Sequence, residues 1–348
     1  SSTDTETASD SSGRSNDGSY SGSTVNRPLT ISVEARSRVE QLLAASTADG
    51  YAFWYGATDS PLAQALVANS PFVELAMVDS DAGRVDRLRR QLDAANITGV
   101  SVHHSAASEF RAPQYVAQRV FVAPELSPTI DDETLARIYQ SVRPFGGTLQ
   151  LLCDPAPKEA SVNVLAEWAA RVEALGLEQA CVLITDSGVC LHREGALPGT
   201  ADWTHQYGDV ANTLKSNDSR VKLPLGVLWF GGSSNLDVLP RHGHGPPEQV
   251  VAGRLYIQGM SSLSCRDVYT GRVLWKRDFE DLGTFDVYFD VTHEHVPLDP
   301  SYNQVHIPGA NGRGTNYVVT EDRVYILVAN VCLMLDPLSG ETVGQIEL

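Results

Sequence analysis

Hydrophobic residues in the first half of the chain alternate between short apolar runs and longer stretches with helical spacing. Short runs fit buried strands, whereas apolar residues three and four positions apart fit amphipathic helices. The pattern predicts strands at Tyr51–Tyr55, Glu74–Val78, Val100–His103, Arg119–Ala123 and Thr148–Cys153. It predicts helices at Val33–Ser46, Ser60–Asn69, Asp81–Ala95, Asp131–Val142 and Ala160–Ala174. Strands that alternate with helices in this way indicate βαβ units on a parallel sheet.

This α/β pattern closes with a hairpin. Ala180–Thr185 and Gly188–Arg193 are strand-like and flank the turn residues Asp186 and Ser187. We expect this hairpin to add an antiparallel edge strand, and we predict an α/β domain over residues 31–195.

The amino-acid composition predicts where the chain is disordered and excludes some classes of function. Residues 1–27 are rich in Ser, Thr, Gly and Asp, so we predict a disordered tail that cannot offset its ordering entropy. The chain of 348 residues has 26 Lys+Arg against 43 Asp+Glu, a net charge of −17. That balance excludes a sequence-independent nucleic-acid binder and argues against docking on anionic lipid. No apolar run approaches the ~18 residues of a membrane helix.

Three short segments of this region resemble the class I S-adenosylmethionine-dependent methyltransferases. Gly56 follows the first strand, Asp79 follows the second, and Arg143–Gly147 resembles the family's turn before the fifth strand. The resemblance covers residues 31–194 and implies a methyltransferase-type Rossmann-like fold. It also implies a pocket for S-adenosylmethionine at Gly56, Asp79 and Ser105, in which Asp79 would bind the ribose hydroxyls. The same logic operates in dinucleotide sites.

The resemblance is incomplete at the atoms that would hold a ligand. The loop Gly56–Ser60 retains only one of the family's usual glycines, and a Cβ on the following residues narrows the room for close backbone approach. Ser105 stands where the family often places an acid. We therefore expect weak or absent binding of S-adenosylmethionine, while an active methyltransferase stays open as an alternative.

The second half of the chain carries an internal repeat. Gly253–Ile257 matches Asp322–Ile326, and Asp267–Trp275 matches Asp336–Gly344, both at an offset of 69 residues. Each unit reads as strand, turn, strand, a D-x-x-[T/S]-G turn and a further strand, in which Asp bonds its own backbone and Gly takes positive φ. We predict an all-β portion over residues 203–348 with an insertion in Phe279–Asn316.

This repeat resembles the blades of quinoprotein (PQQ)-like β-propellers. Arg266–Trp275 fits the tryptophan-docking motif of that family, and the resemblance implies that Trp275 packs between blades. It implies an incomplete propeller-like ring, with pyrroloquinoline quinone and Ca²⁺ as cofactors in an oxidoreductase. The alternative from another class is a non-enzymatic scaffold or ligand-binding propeller. Fusion of the two domain types also resembles large envelope proteins of planctomycete-type bacteria, which implies a periplasmic or cell-envelope location and envelope protein partners.

Polar side chains concentrate in the β portion. His242 and His244 would lie on one face of a strand, a spacing that suits a metal, although glycine-rich loop histidines more often bind backbone carbonyls. A polar ligand funnel is the third interpretation. The predicted cluster consists of Arg241, His242, His244, His306, Asn311, Arg313 and Asn316. No haem-attachment, nucleophile-elbow or Walker motif accompanies it.

The five cysteines occur mostly in apolar, strand-like runs. An odd number without CxxC spacing indicates neither a zinc site nor a disulfide framework. We therefore predict buried free thiols.

Overall fold

The computed structural model describes residues 29, 31–44, 50–154, 158–205, 207–230, 237–238, 247–259, 261–280, 282 and 316–348. The predicted tail, most of the predicted insertion and all of the predicted polar cluster except Asn316 lie outside these residues. No helix within the described ranges is long and apolar enough to cross a membrane.

The first part is a seven-stranded sheet flanked by helices, as the hydrophobic pattern predicts. Its strands are β1 Tyr51–Tyr55, β2 Glu74–Asp79, β3 Val100–His104, β4 Ala117–Val122, β5 Thr148–Leu152, β6 Ala180–Thr185 and β7 Gly188–Arg193. Its helices are α1 Val33–Ala44, α2 Pro61–Ala68, α3 Ala82–Ala94, α4 Asp132–Tyr139 and α5 Lys158–Ala174. The strand order is β3-β2-β1-β4-β5-β7-β6, and β1 to β5 are parallel. The α/β class is therefore confirmed.

Alternate residues of the central strands bury opposite faces of the sheet. Trp54 and Met77 belong to the apolar cluster under α1, α2 and α3, whereas Tyr55 and Val78 belong to the cluster under α4 and α5. All four side chains are buried. Sheets covered on both faces in this way read as continuous apolar runs, which is why the strands are clear in the sequence.

The closing hairpin joins the edge of the sheet through antiparallel pairing, as expected, and both of its strands belong to the sheet. The antiparallel strand β7 inserts between β5 and β6, so β6 forms the edge and runs parallel to β5. Leu183 and Ile184 on β6 are about half exposed as a result. The two hairpin strands pair with each other locally. Which of them pairs with β5 is decided by the tertiary structure, and the apolar sequence of β6 did not indicate that this strand would form the edge.

The second part contains two antiparallel sheets of four strands each. The first sheet is formed by β8 Gln249–Val251, β9 Arg254–Gln258, β10 Ser262–Asp267 and β11 Val273–Asp278. The second sheet is formed by β12 Tyr317–Val319, β13 Val324–Val328, β14 Val331–Leu335 and β15 Thr342–Glu347. In each sheet the strands neighbour one another in chain order, so the repeat of 69 residues corresponds to a repeated meander.

Trp275 lies between these two sheets. Its side chain is 8% exposed, and its Nε1 donates to the carbonyl of Pro337 at 3.0 Å. The ring covers Gly340 in the turn of the second sheet, where an added Cβ would come within 2.6 Å of it. Gly340 has a φ of +74°, so both its conformation and the close approach of the indole require glycine.

Trp229 makes the same contact one unit earlier. Its Nε1 donates to the carbonyl of Val268 at 2.9 Å, and its ring covers Gly271 so closely that a Cβ there would overlap it. Val268 and Gly271 correspond to Pro337 and Gly340 at the repeat offset. Each D-x-x-[T/S]-G turn is thus covered by a tryptophan that precedes it in the chain.

The first sheet of the second part contacts the amino-terminal ends of β4 and β5. Arg143 lies 3.4 Å from the buried carboxylate of Asp267, measured from Nη1 to Oδ2. Phe145 packs on Gly253, where a Cβ would come within 2.6 Å of its ring. The Arg143–Gly147 turn, which the sequence associated with a cofactor domain, therefore joins the two parts of the chain.

Candidate cofactor pocket

A cavity of about 300 Å³ opens at the carboxyl-terminal ends of β1 to β4. This is the edge at which open α/β sheets bind ligands, and it is opposite the edge that contacts the β part. The cavity contains all three residues predicted for the methyltransferase-like pocket. Its lining includes Gly56, Ala57, Asp79, Arg84, Ser105, Ser108, Glu125 and Asp131.

Gly56 supplies a close approach between strands. It has a φ of +127°, and its N–H donates to the carbonyl of Val78 at 3.0 Å. A Cβ at this position would overlap Ala123 and would lie 2.8 Å from Oε1 of Glu125. The space that a side chain at Gly56 would take is therefore filled by Ala123 and Glu125 and is not space for a ligand.

Asp79 is the central carboxylate of the cavity and is 2% exposed. Oδ2 accepts from the backbone N–H and the hydroxyl of Thr58, at 2.9 and 3.0 Å. Oδ1 accepts from the N–H of Asp81 at 2.9 Å. Arg84 adds a bidentate pair, with Nε to Oδ2 and Nη2 to Oδ1 both at 2.7 Å. Because a carboxylate has about four lone-pair sites, these five donors saturate it.

These contacts also set the charge state of the pair. Burial alone would raise the pKa of Asp79, but the hydrogen bonds from Arg84, Asp81 and Thr58 outweigh it and lower that pKa. The pKa of Arg84 is raised, chiefly by its hydrogen bond to Asp79. Asp79 is therefore ionised and neutralised by a partner that holds it in place.

Glu125 accepts a hydrogen bond from Ala57, the loop residue between Gly56 and Thr58. Its Oε1 accepts from the N–H of Ala57 at 2.5 Å. Together with the bond from Thr58 to Asp79, this gives the first two N–H groups of the loop after Gly56 a carboxylate acceptor within the chain. Loop N–H groups ahead of a helix are the usual ligands for an anionic group, and here both are already bound.

The remaining polar residues of the cavity are also partly engaged. Ser105 donates its N–H to the carbonyl of Asp79 at 3.0 Å and its hydroxyl to the carbonyl of Ala106 at 3.1 Å. Asp131 begins α4, where its carboxylate accepts from the N–H and hydroxyl of Thr134, both at 2.8 Å. These hydrogen bonds lower the pKa of Asp131.

S-adenosylmethionine does not fit this donor and acceptor set. A ribose diol needs free carboxylate oxygens, and the oxygens of Asp79 are taken by Arg84, Thr58 and Asp81. A ligand carboxylate needs free N–H groups, and that of Ala57 is taken by Glu125. Binding would require the chain to break charge-assisted hydrogen bonds, each worth about 1.5–3 kcal/mol.

Sequence reasoning identified Gly56, Asp79 and Ser105 but missed Arg84 and Glu125. Arg84 stands three residues after Asp81, which begins α3 by accepting the N–H of Arg84 at 2.7 Å. Helical side chains point toward the helix N-terminus, so an Arg at this spacing can reach back to an acid at the preceding strand end. Glu125 had no such signal, because its contact spans 68 residues.

Of the predicted polar cluster in the β part, Asn316 alone falls in the described ranges. Its side-chain Nδ2 donates to the backbone carbonyl of Leu282 at 2.7 Å, and its backbone carbonyl accepts from the N–H of Leu327 at 2.7 Å. Arg241, His242, His244, His306, Asn311 and Arg313 lie outside the described residues, so the metal and funnel interpretations stay predictions. Within the described ranges no group of three or more His, Cys, Asp or Glu residues could hold a metal ion.

The chain was compared with known proteins. No family model matches it, and no curated protein matches it. Among solved structures, a putative S-adenosyl-L-methionine-dependent methyltransferase from Methanococcus maripaludis is 12% identical, with a TM-score of 0.36 over 46% of this chain and 84% of that one. A SAM-dependent methyltransferase from Aquifex aeolicus is 12% identical, with a TM-score of 0.35 over 45% and 87%. With TM-scores below 0.5, these likenesses carry no conclusion about activity.

Proposed function

We propose that the α/β domain is a methyltransferase-like unit that has lost methyl transfer and serves as a structural platform for the β part. The observation that carries this proposal is the saturated carboxylate of Asp79. A residue that must release Arg84 before it can meet a ribose is a poor ligand-binding residue and a good structural one.

The platform role is supported by the contacts at the opposite end of the sheet. Arg143 and Asp267 are 13% and 4% exposed, so their ion pair is shielded from water. Tyr115 and Tyr269 pack at 6.0 Å between ring centroids, and Phe145 fills the space above Gly253. Buried pairs of this kind fix orientation, because removing one partner leaves an uncompensated charge.

The β part is proposed as a propeller-like module that acts in scaffolding or ligand binding in the cell envelope. Two consecutive four-stranded meanders, each with a tryptophan over its D-x-x-[T/S]-G turn, support the likeness to quinoprotein blades. The envelope location and envelope partners rest on the sequence resemblance. The division into residues 31–195 and 203–348 is part of the same proposal.

Isothermal titration with S-adenosylmethionine tests the loss of methyl transfer. We expect no saturable heat from the whole chain at millimolar ligand. The double change Arg84→Met with Glu125→Gln should raise the affinity, because it removes two of the five donors to the Asp79 carboxylate and weakens the acceptor on Ala57. Arg90→Met is the matched control, since Arg90 lies on the same helix and pairs with exposed Asp86, at 3.3 Å.

Two outcomes would overturn the proposal. Micromolar affinity in the unchanged chain that is lost in Asp79→Ala would restore the active methyltransferase alternative. Dye reduction after addition of pyrroloquinoline quinone and Ca²⁺ would make the β part an oxidoreductase instead of a scaffold. Circular dichroism of each variant separates lost folding from changed affinity.

A further inference from the structure

The seven-stranded sheet has an edge strand at each end, and one of the two is protected by a charged side chain. On β3 the carbonyl of Gly99 and the N–H of Ser105 bond toward β2. Backbone groups alternate sides along a strand, so the carbonyl of Val102 points away from the sheet. Arg89 donates to that carbonyl from Nε at 3.1 Å and from Nη2 at 2.6 Å. A charge at this position keeps a further strand from pairing with β3.

The other edge strand, β6, has outward backbone groups that bond to no described residue. The carbonyl of Gln179 accepts from the N–H of Glu194 at 2.9 Å, which fixes the side of the strand that faces β7. By the same alternation, Val182 and Ile184 direct their N–H and carbonyl groups away from β7. Because β6 is the last strand in the sheet order, these groups lie at the open edge.

The side chains of β6 do not protect this edge. The strand is uncharged from Ala180 to Thr185 and contains no proline. Its pairing with β7 is regular, without a bulge. Leu183 and Ile184 are 51% and 53% exposed and point to opposite faces, since they are consecutive. Charges, proline and bulges are the usual protection of edge strands, so β6 is open to a further strand.

The acids at the two ends of β6 limit how a second copy of the strand could pair with it. Outward residues must meet outward residues, so the two registers that overlap most have a two-fold axis through Val182 or through Leu183. An axis through Val182 would place Glu178 opposite Asp186 of the other copy, which is unfavourable for like charges. An axis through Leu183 places Asp186 opposite uncharged Ala180. A second copy therefore matches this edge in one register, in both hydrogen bonding and charge.

We infer that β6 pairs antiparallel with β6 of a second copy of this chain, about a two-fold axis through Leu183. In this register Val182 of each copy exchanges both backbone hydrogen bonds with Ile184 of the other, which satisfies the outward groups of both residues. Leu183 faces itself across the axis as a non-hydrogen-bonded pair, the kind in which side chains approach most closely. The two sheets thereby become one continuous sheet.

The size of the contact predicts a weak association. Six residues at ~3.4 Å each give a contact about 20 Å long, and a sheet is about 10 Å thick, so the contact covers roughly 200 Å² on each copy. Two such surfaces bury well under the ~1,200 Å² of the smaller stable interfaces. We therefore expect a dimer that forms at high concentration and dissociates on dilution.

Sedimentation velocity of the whole chain over a concentration series tests the inference. The unchanged chain should shift reversibly from monomer to dimer. Leu183→Lys and Leu183→Glu should each weaken the dimer about tenfold, because each replaces an apolar contact on the axis by two like charges. An equal mixture of the two variants should recover the dimer, because Lys then faces Glu. Val73→Lys is the matched control, since Val73 is 49% exposed and directly precedes β2, four strands away from β6 in the sheet order.

A disulfide crosslink tests the register. The Cα atoms of a non-hydrogen-bonded pair are ~4.5 Å apart, which lies within the ~4.4–6.8 Å that a disulfide spans. Leu183→Cys, combined with Cys181→Ser to remove the neighbouring thiol, should therefore give a covalent dimer in oxidised glutathione. Val182→Cys with the same Cys181→Ser change is the control, since Val182 faces Ile184 of the other copy and should crosslink far less.

Thermal melts establish that each variant folds. A chain that stays monomeric over the whole series, as it would if the edge of β6 met only a different protein, would overturn the inference. So would a dimer that Leu183→Lys leaves unchanged, or a mixture of the two charged variants that stays monomeric. Equal crosslinking of the two cysteine variants would contradict the register.

Discussion

Removal of the Trp275 side chain should loosen the second β-sheet more than any other single truncation at the boundary between the sheets. The indole is 8% exposed, donates to the Pro337 carbonyl and covers Gly340. Tyr256 packs against it edge-on, at 6.1 Å between ring centroids. Trp275→Ala therefore removes a packing contact, a hydrogen bond and an aromatic pair together.

The magnitude follows from the buried area. An indole of up to ~250 Å² that is almost entirely covered contributes at most ~6 kcal/mol at ~25 cal/mol/Å². A compact unfolded state lowers that figure by roughly 10–40%. The expected cost of Trp275→Ala is then about 3–5 kcal/mol, in line with large-to-small aromatic changes. Trp275→Phe keeps a ring and should cost about 1–2 kcal/mol, chiefly the lost hydrogen bond.

Native-state hydrogen exchange measures this cost locally, since it reports opening free energies strand by strand. Peptides from β13 and β14 should lose protection, whereas β2 in the α/β sheet should not. A double-mutant cycle sharpens the test. Gly340→Ala alone should cost about 1–2 kcal/mol for its left-handed φ and about 1–3 kcal/mol more for overlap with the indole.

When Trp275 is already Ala, a Cβ on Gly340 no longer overlaps the indole. Gly340→Ala should then cost only the ~1–2 kcal/mol of its left-handed backbone conformation. The expected coupling between the two changes is therefore about 1–3 kcal/mol. Additive costs within about 0.5 kcal/mol, or a cost below about 1 kcal/mol for Trp275→Ala, would refute the packing argument.

Three further predictions concern single groups. Gly56→Ala should destabilise the chain by about 2–4 kcal/mol in urea titrations, because its Cβ overlaps Ala123. Gly176→Ala also has a positive φ, of +56° against +127° at Gly56, but it has open space around it and should cost only about 1–2 kcal/mol. The pKa of Asp79 is lowered from 3.8, so its stabilisation is present above that pH and is lost as pH falls through the folded value. The difference in unfolding free energy between the unchanged chain and Asp79→Asn should accordingly shrink in acid; a constant difference would contradict this. Burial raises the pKa of Cys265 to about 12, so a disulfide reagent should modify this thiol only after urea is added, as mass spectrometry can establish.

The α/β sheet could be predicted from the sequence because its central strands β1, β2, β4 and β5 are buried on both faces. Runs such as Tyr51–Tyr55 and the hairpin strands around Ser187 have the bounds that the hydrophobic pattern predicts. The sequence predicted an antiparallel edge strand without indicating which hairpin strand would be outermost, because the place of β6 at the edge is decided by the pairing of β7 with β5. Pairing of that kind is a tertiary property and leaves no periodic signal.

The sequence predicted the backbone positions of the candidate site but not its side-chain contacts. Gly56 and Asp79 could be placed because a strand end followed by a helix puts them at one edge of the sheet. Whether Asp79 is free or occupied depends on Arg84, and the loop N–H of Ala57 depends on Glu125. These contacts join different secondary-structure elements. The sequence therefore predicted the position of the pocket but not that its polar groups are already hydrogen-bonded within the chain. The repeat was readable, but the role of Trp229 over Gly271 became clear only from the folded turn.

The charged groups of the pocket stabilise the chain without a ligand. A buried carboxylate at the end of β2 and free N–H groups in the loop after β1 would each be costly if left without partners. Arg84 and Glu125 remove both costs within the chain. Such internal partners stabilise the fold without any ligand, which agrees with the proposed role of the domain as a support for the β part through Arg143 and Phe145. By the same reasoning, substitutions at Arg84 should lower the free energy of unfolding whether or not S-adenosylmethionine is present.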